Sequence, residues 1–166
     1  MKKRVVVKKG KIIVTRRGNV VTHLSEKIIS TLKPYCYKIQ IAGSIRREEK
    51  NPVDIDVVLI PKNKEKLEEK MSKLGRFIQG GEKKSSWHVK GVKVELYYTF
   101  PEEWGATLLA YSSTIGSSIG LRVVAKKKGF KLTQHGLFKG KKLVAGKTEE
   151  EIYKALGRPY KEPKYR

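Results

Sequence analysis

The chain has 166 residues, with 38 Lys or Arg against 16 Asp or Glu and a formal net charge of +22. That length provides one domain, or a compact domain with a small appendix, and enough chain to bury a core. The charge far exceeds what solubility requires and points to a polyanionic partner, nucleic acid first.

No apolar run approaches the length of a spanning helix, and no lipidation signal stands at either end. The basic opening Met1-Lys2-Lys3-Arg4 is followed only by Val5, Val6 and Val7, too short for a signal peptide. A membrane role is therefore not expected. One cysteine, Cys36, cannot form an internal disulfide, so a cytoplasmic setting is the default.

In chain order, residues 4–7 and 12–15 read as two short strands, with basic turns at Lys8-Lys9-Gly10 and Arg16-Arg17-Gly18-Asn19. These turns are either solubilising charge or a patch that follows DNA phosphates. From residue 23 to 32, Leu24, Ile28, Ile29 and Leu32 recur at helical spacing, and Pro34 ends the run. A strand over 37–42 follows and closes on Gly43-Ser44. There a glycine lets the backbone approach a ligand, and a hydroxyl and backbone N–H groups can face phosphate oxygens. Arg46 and Arg47 add forked donors suited to phosphate.

In the next strand Val53, Ile55 and Val57 alternate with Asp54, Asp56 and Val58, so the two carboxylates are expected on one face. Alternate strand residues lie roughly 7 Å apart, within reach of two magnesium ions held about 4 Å apart. Two aspartates in a run that ends Val57-Val58-Leu59-Ile60 are costly to bury without counter-charge, which bound cations would supply.

After Pro61, residues 64–74 predict a helix with Leu67, Met71 and Leu74 on one side. Strands are predicted at 75–79, 85–89 and 92–99, joined by Gly80-Gly81 and Lys90-Gly91 turns. In the last of them Glu95 projects opposite Val92, Val94 and Leu96. It is either a third metal ligand or a surface charge paired with Lys93. Helices are predicted at 102–111 and 115–128, the second with Ile115, Ile119 and Val123 as a core stripe and Arg122 and Lys126 on a basic face. Thr148 and Glu151 read as a capping box, with Glu149 and Glu150 as helix-start charges and Gly157 as a stop. Trp87 and Trp104 are expected in the core or its rim, and no zinc site is expected at His88 or His135.

The set Gly43, Ser44, Arg47, Asp54 and Asp56 resembles the signature of the DNA polymerase beta type of nucleotidyltransferase, and its spacing resembles that of the polymerase branch, family X. The C-terminal string through Gly157-Arg158-Pro159-Tyr160 is similar to the C-terminal subdomain of the same branch. The resemblance implies an α+β fold: a nucleotidyltransferase palm, a mixed sheet with covering helices, over residues 1–105 with the basic N-terminal hairpin, and a small α/β thumb over 106–166. It is most like the minimal viral branch that has palm and thumb only, so no lyase activity is expected.

The resemblance also implies roles. Asp54, Asp56 and Glu95 would hold two magnesium ions, with manganese as a substitute, and Glu95 stands where the family normally has aspartate. Glutamate reaches farther by about an ångström, more than the ~0.5 Å that productive geometry tolerates, so a slower or manganese-favouring enzyme is expected. Gly43, Ser44 and Arg47 would hold the triphosphate. Tyr111 would face the sugar, in a segment Tyr111-Ser112-Ser113-Thr114 that lacks the glycine usual there. Arg122, with Lys126, would contact the template side of DNA.

The expected activity is templated addition of deoxynucleotides to a primer 3′-hydroxyl, filling short gaps in DNA repair, by a monomer in the cytoplasm or associated with a virus. The alternatives are template-independent terminal transfer and a catalytically weakened nucleic-acid-binding module.

Overall fold

The computed structural model describes residues 3–8, 11–16 and 18–166. An antiparallel ribbon comes first, β1 (Lys3–Lys8) against β2 (Lys11–Arg16), with Val5 paired to Val14 and Val7 to Ile12. Both expected strands are present, one residue longer at each end. Lys9, Gly10 and Arg17, which belong to the two expected basic turns, lie outside the described residues.

Helix α1 (Gly18–Leu32) starts five residues before the expected point. Gly18-Asn19 reads as a turn pair in isolation, but Val21, Leu24, Ile28 and Leu32 form one buried stripe at helical spacing, and packing that stripe carries the helix upstream.

Five strands form the sheet that positions the site: β3 (Cys36–Ile41), β4 (Ile55–Pro61), β5 (Arg76–Gly80), β6 (Lys84–Val89) and β7 (Val92–Tyr98), in the order β3-β4-β7-β6-β5. Every neighbouring pair is antiparallel except β4 and β7, which run parallel. The sheet is therefore mixed, as expected. One face buries Ile55, Val57 and Leu59 of β4 with Val92, Val94 and Leu96 of β7 and Trp87 of β6. They pack beneath Ile28 and Leu32 of α1 and Leu67 and Met71 of α3 (Lys64–Ser72). Alternation then sends Asp56, Val58 and Ile60, and Glu95 with Tyr97, to the other face.

Two parts of the expected β4 differ. The strand begins at Ile55, so Asp54 lies in the bend before it, and Val53 is 54% exposed and does not share the burial of Ile55 and Val57.

On that second face Val58, Ile60 and Tyr97 meet Trp104 and Leu108 of α4 (Trp104–Ser112). The opposite side of α4, through Ala106 and Leu109, packs with Ala125, Leu137, Ile152 and Leu156 in a second core. That core belongs to α5 (Ile115–Lys127), a small sheet of β8 (Lys131–Thr133), β9 (Gly136–Lys139) and β10 (Lys142–Ala145) in the order β10-β9-β8, and α6 (Glu149–Ala155). Helix α4 is apolar nearly all round because it is shared by both cores. Trp87 and Trp104 are buried, in line with their reading as core residues.

The expected core stripe of α5 is overturned. Ile115, Ile119 and Val123 are 82%, 55% and 46% exposed, and the helix packs instead through Leu121, Val124 and Ala125. The sequence of α5 holds two apolar stripes on different sides, and periodicity cannot choose which one faces the neighbouring sheet. The capping box of α6 is present as expected, with the Thr148 hydroxyl accepting from the Glu151 N–H at 3.1 Å.

Candidate active site

Two strands and one turn build the site. In the parallel pairing of β4 and β7, Asp56 lies directly opposite Glu95. Their apolar neighbours Ile55, Val57, Val94 and Leu96 are all completely buried on the far face, which fixes the direction in which the two carboxylates point. The turn after β3 is tied to the same place, since the Ala42 N–H donates to the Asp56 carbonyl at 2.8 Å. Gly43 then takes φ +60°, and a Cβ there would collide with Asp56 Oδ2. Gly43 thus serves two needs at once, a left-handed turn and contact of bare backbone with a carboxylate. Ser44 follows in the short helix α2 (Gly43–Arg46), half-buried.

The paired arginines diverge. Arg47 stays at the turn, where its Nε and Nη2 donate to Glu49 Oε1 at 2.9 and 2.6 Å. Arg46 turns toward the C-terminal unit and forms a two-pronged pair with Glu149, 2.8 Å on each prong, while its Nη1 also donates to Ser112 Oγ at 3.0 Å. Arg166 donates to Glu149 Oε1 at 2.7 Å, and the Tyr160 hydroxyl donates to Oε2 at 3.2 Å. Glu149 is therefore more than a helix-start charge. It is 4% exposed and anchors α6 to the Gly-Ser turn. Burial works against its charge, but the hydrogen bonds from Arg46 and Arg166 outweigh burial and hold its carboxyl below the usual range.

Glu95 is engaged on both oxygens. Oε1 accepts from Lys84 at 2.7 Å, Lys93 at 3.0 Å and Ser86 at 3.3 Å, and Oε2 accepts from the Tyr97 hydroxyl at 2.8 Å. Tyr97 also reaches Asp56 Oδ1 at 3.3 Å. Burial pushes the Glu95 carboxyl up, yet hydrogen bonds from Lys84, Lys93 and Tyr97 more than offset it and bring it down to about 2. Asp56 moves the other way: burial, then the nearby Glu95 charge, raises its carboxyl, with the Tyr97 hydroxyl opposing. Asp54 is raised as well, mainly by burial and against the pull of Lys93.

The predicted ligands are thus brought together unequally. Asp56 and Glu95 adjoin, Asp54 flanks them from the bend, and among the described residues no three His, Cys, Asp or Glu side chains converge as a metal cluster. Tyr111 adjoins them through Tyr97, its ring stacked on that residue with centroids 3.6 Å apart at 17°. Arg122 and Lys126 are exposed along α5, and among the described residues neither hydrogen-bonds nor ion-pairs with these groups.

Tyr97, Lys84 and Glu149 are the participants that sequence reasoning missed. Tyr97 had a signal, since it follows Glu95 by two positions and so shares its face. Lys84 needed the register of β6 on β7, and nothing local singled out Glu149 among three adjacent glutamates.

The carboxylates fit a divalent cation. Asp56 and Glu95 are paired across one strand pair, and burial, then the Glu95 charge, raises the Asp56 carboxyl, a cost to its charged form that a cation would relieve. Asp54, Asp56 and Glu95 are the groups that would hold it.

A mixed sheet that aims a carboxylate pair at a Gly-Ser turn, backed by a helix shared with a second small unit, is the arrangement of a nucleotidyltransferase. A family model described as DNA polymerase beta thumb matches residues 118–166. The chain is similar to the Repair DNA polymerase X of African swine fever virus: 31% identical to the Badajoz 1971 Vero-adapted protein over 166 aligned residues, covering 89% of this chain and 94% of that protein. Against the protein of isolate Pig/Kenya/KEN-50/1950 the identity is also 31%, covering 94% of this chain and 95% of the other. A shorter match, 38% over 65 residues, falls in DNA polymerase IV of Saccharomyces cerevisiae, covering 39% of this chain and 11% of that protein. The chain belongs to the family X DNA polymerases. It is a nucleotidyltransferase of DNA repair, and among its described residues no helix is long and apolar enough to cross a membrane.

Proposed function

We propose that the protein extends a primer 3′-hydroxyl with a deoxynucleotide chosen by a template, across short gaps in DNA. The observation that carries this reading is the direct pairing of Asp56 with Glu95 while Gly43 lies against the Asp56 carboxylate. Magnesium, when bound, would supply charge stabilisation for the attacking and leaving oxygens of an in-line displacement. Asp54, Asp56 and Glu95 would hold the ions, Glu95 on the primer side, and Gly43 and Ser44 would face the triphosphate. Arg47 joins them by exchanging Glu49 for phosphate, a charge-assisted contact of the same kind. Tyr111 faces the sugar, and Arg122 and Lys126 contact DNA along the open side of α5.

The engagement of Glu95 by Lys84 and Lys93 favours a second reading, a binding module with a weakened centre, because both ammonium groups compete with a cation for Oε1. Extension of a labelled primer over a one-nucleotide gap separates the readings. With magnesium, the complementary nucleotide is expected to be preferred, and Asp56→Ala is expected to lower the rate at least about a thousandfold. Addition indifferent to the template base would indicate terminal transfer. DNA binding without addition, even with manganese, would indicate the weakened module.

A further inference from the structure

The phenol of Tyr97 sits between two carboxylates. Its hydroxyl carries one proton, yet Glu95 Oε2 lies 2.8 Å from the oxygen and Asp56 Oδ1 3.3 Å away. Two like charges on neighbouring strands repel; Lys84 and Lys93 offset the charge of Glu95 at Oε1, and the Tyr97 hydroxyl is the donor that reaches both carboxylates. The ring itself is fixed. It is 6% exposed, packed in the core between the sheet and α4, and stacked on Tyr111 at 3.6 Å.

We infer that Tyr97 is a positioning residue whose hydroxyl stands in for the cation between Asp56 and Glu95, and that its stack on Tyr111 ties the state of that carboxylate pair to the sugar side of the nucleotide pocket. The inference rests on the reading of Asp56 and Glu95 as metal ligands. A cation entering the pair displaces at least the bond to Asp56, so part of its binding energy is used against the hydroxyl. Any movement of Tyr111 when a nucleotide binds shifts the ring that carries that hydroxyl. Cation affinity and nucleotide occupancy then become linked, each changing the other by the same factor.

The test is titration of the DNA-free protein with Mn2+, following the spin-resonance signal of the free ion, for the native chain, Tyr97→Phe, Tyr111→Leu and Asp56→Asn. Tyr97→Phe keeps the ring in its packing and removes only the hydroxyl, leaving Lys84 and Lys93 on Glu95 Oε1, so Mn2+ is expected to bind about three- to tenfold tighter while single-turnover extension slows. That opposed pair of effects is what a merely structural role would not produce. Tyr111→Leu, which leaves the hydroxyl but frees the ring, is expected to tighten Mn2+ binding in the same direction and to less extent.

If Asp56→Asn binds Mn2+ as the native chain does, the metal reading itself fails. If Asp56→Asn loses binding but Tyr97→Phe binds unchanged, or binds more weakly with a lower melting temperature, the role of Tyr97 is overturned while the metal site stands. Tyr111→Leu without effect would overturn the link to the nucleotide pocket.

Discussion

At the scale of single residues, Gly43 is the position of the site with the least room for a side chain. Gly43 combines φ +60° with a position where any Cβ meets Asp56 Oδ2. Gly43→Ala therefore has to move either the turn or the carboxylate, and since strained left-handed backbone costs about 1–3 kcal/mol on its own, a loss of that order in denaturant midpoint experiments is expected. Extension activity is expected to fall by more than the stability loss explains, about a hundredfold, because small displacements of a reacting geometry are costly. Of the site, the Gly43, Ser44, Asp54 and Asp56 set was legible in the sequence because its residue types are unusual beside an apolar strand. Glu95 was legible as a position and Lys93 as its ion-pair partner, but Lys84 and Ser86 were not: strand alternation tells which face a residue takes, whereas these two arrive from a neighbouring strand whose register no local pattern specifies.

Among whole elements, α5 tests which apolar stripe does the packing. Ile119 is 55% exposed, so Ile119→Ser is expected to change stability by less than about 0.5 kcal/mol. Leu137→Ala, in the core that α5 covers, is expected to cost about 2–5 kcal/mol by thermal or denaturant unfolding. Most strands and helices were readable from turn residues and periodicity. The misreadings came where tertiary packing decided: α1 extended through a glycine that resembles a turn, β4 started after Asp54, and α5 turned its other side inward. Helix α6 carries a second test, because its Glu149 joins Arg46 of the turn to Arg166. Glu149→Ala leaves two guanidinium groups without their counter-charge and is expected to cost about 3–5 kcal/mol. The Glu149 carboxyl is lowered from its ordinary 4.5 in the folded chain, so its contribution to stability is fully present above that pH and is lost as pH falls through the lower folded value. Stability measured between pH 5 and pH 3 is thus expected to drop more steeply for the native chain than for Glu149→Gln.

For the molecule as a whole, charge is the dominant property. A net charge of +22 makes counterion release a large part of binding to DNA. Affinity for a gapped duplex is expected to fall by about a thousandfold or more between 50 and 200 mM salt if six or more phosphates are contacted, and a flat profile in fluorescence-anisotropy titrations would contradict that. The parallel pairing of β4 with β7 has a kinetic consequence. The hairpins β5–β6 and β6–β7 close over short loops, but Asp56 and Glu95 meet only when two strands from distant parts of the chain come side by side. Such long-range parallel contacts form late and slowly. A chain arrested partway, with hairpins formed and α3 still loose, would carry both carboxylates and no centre, so competence to hold a cation would report the last step of folding.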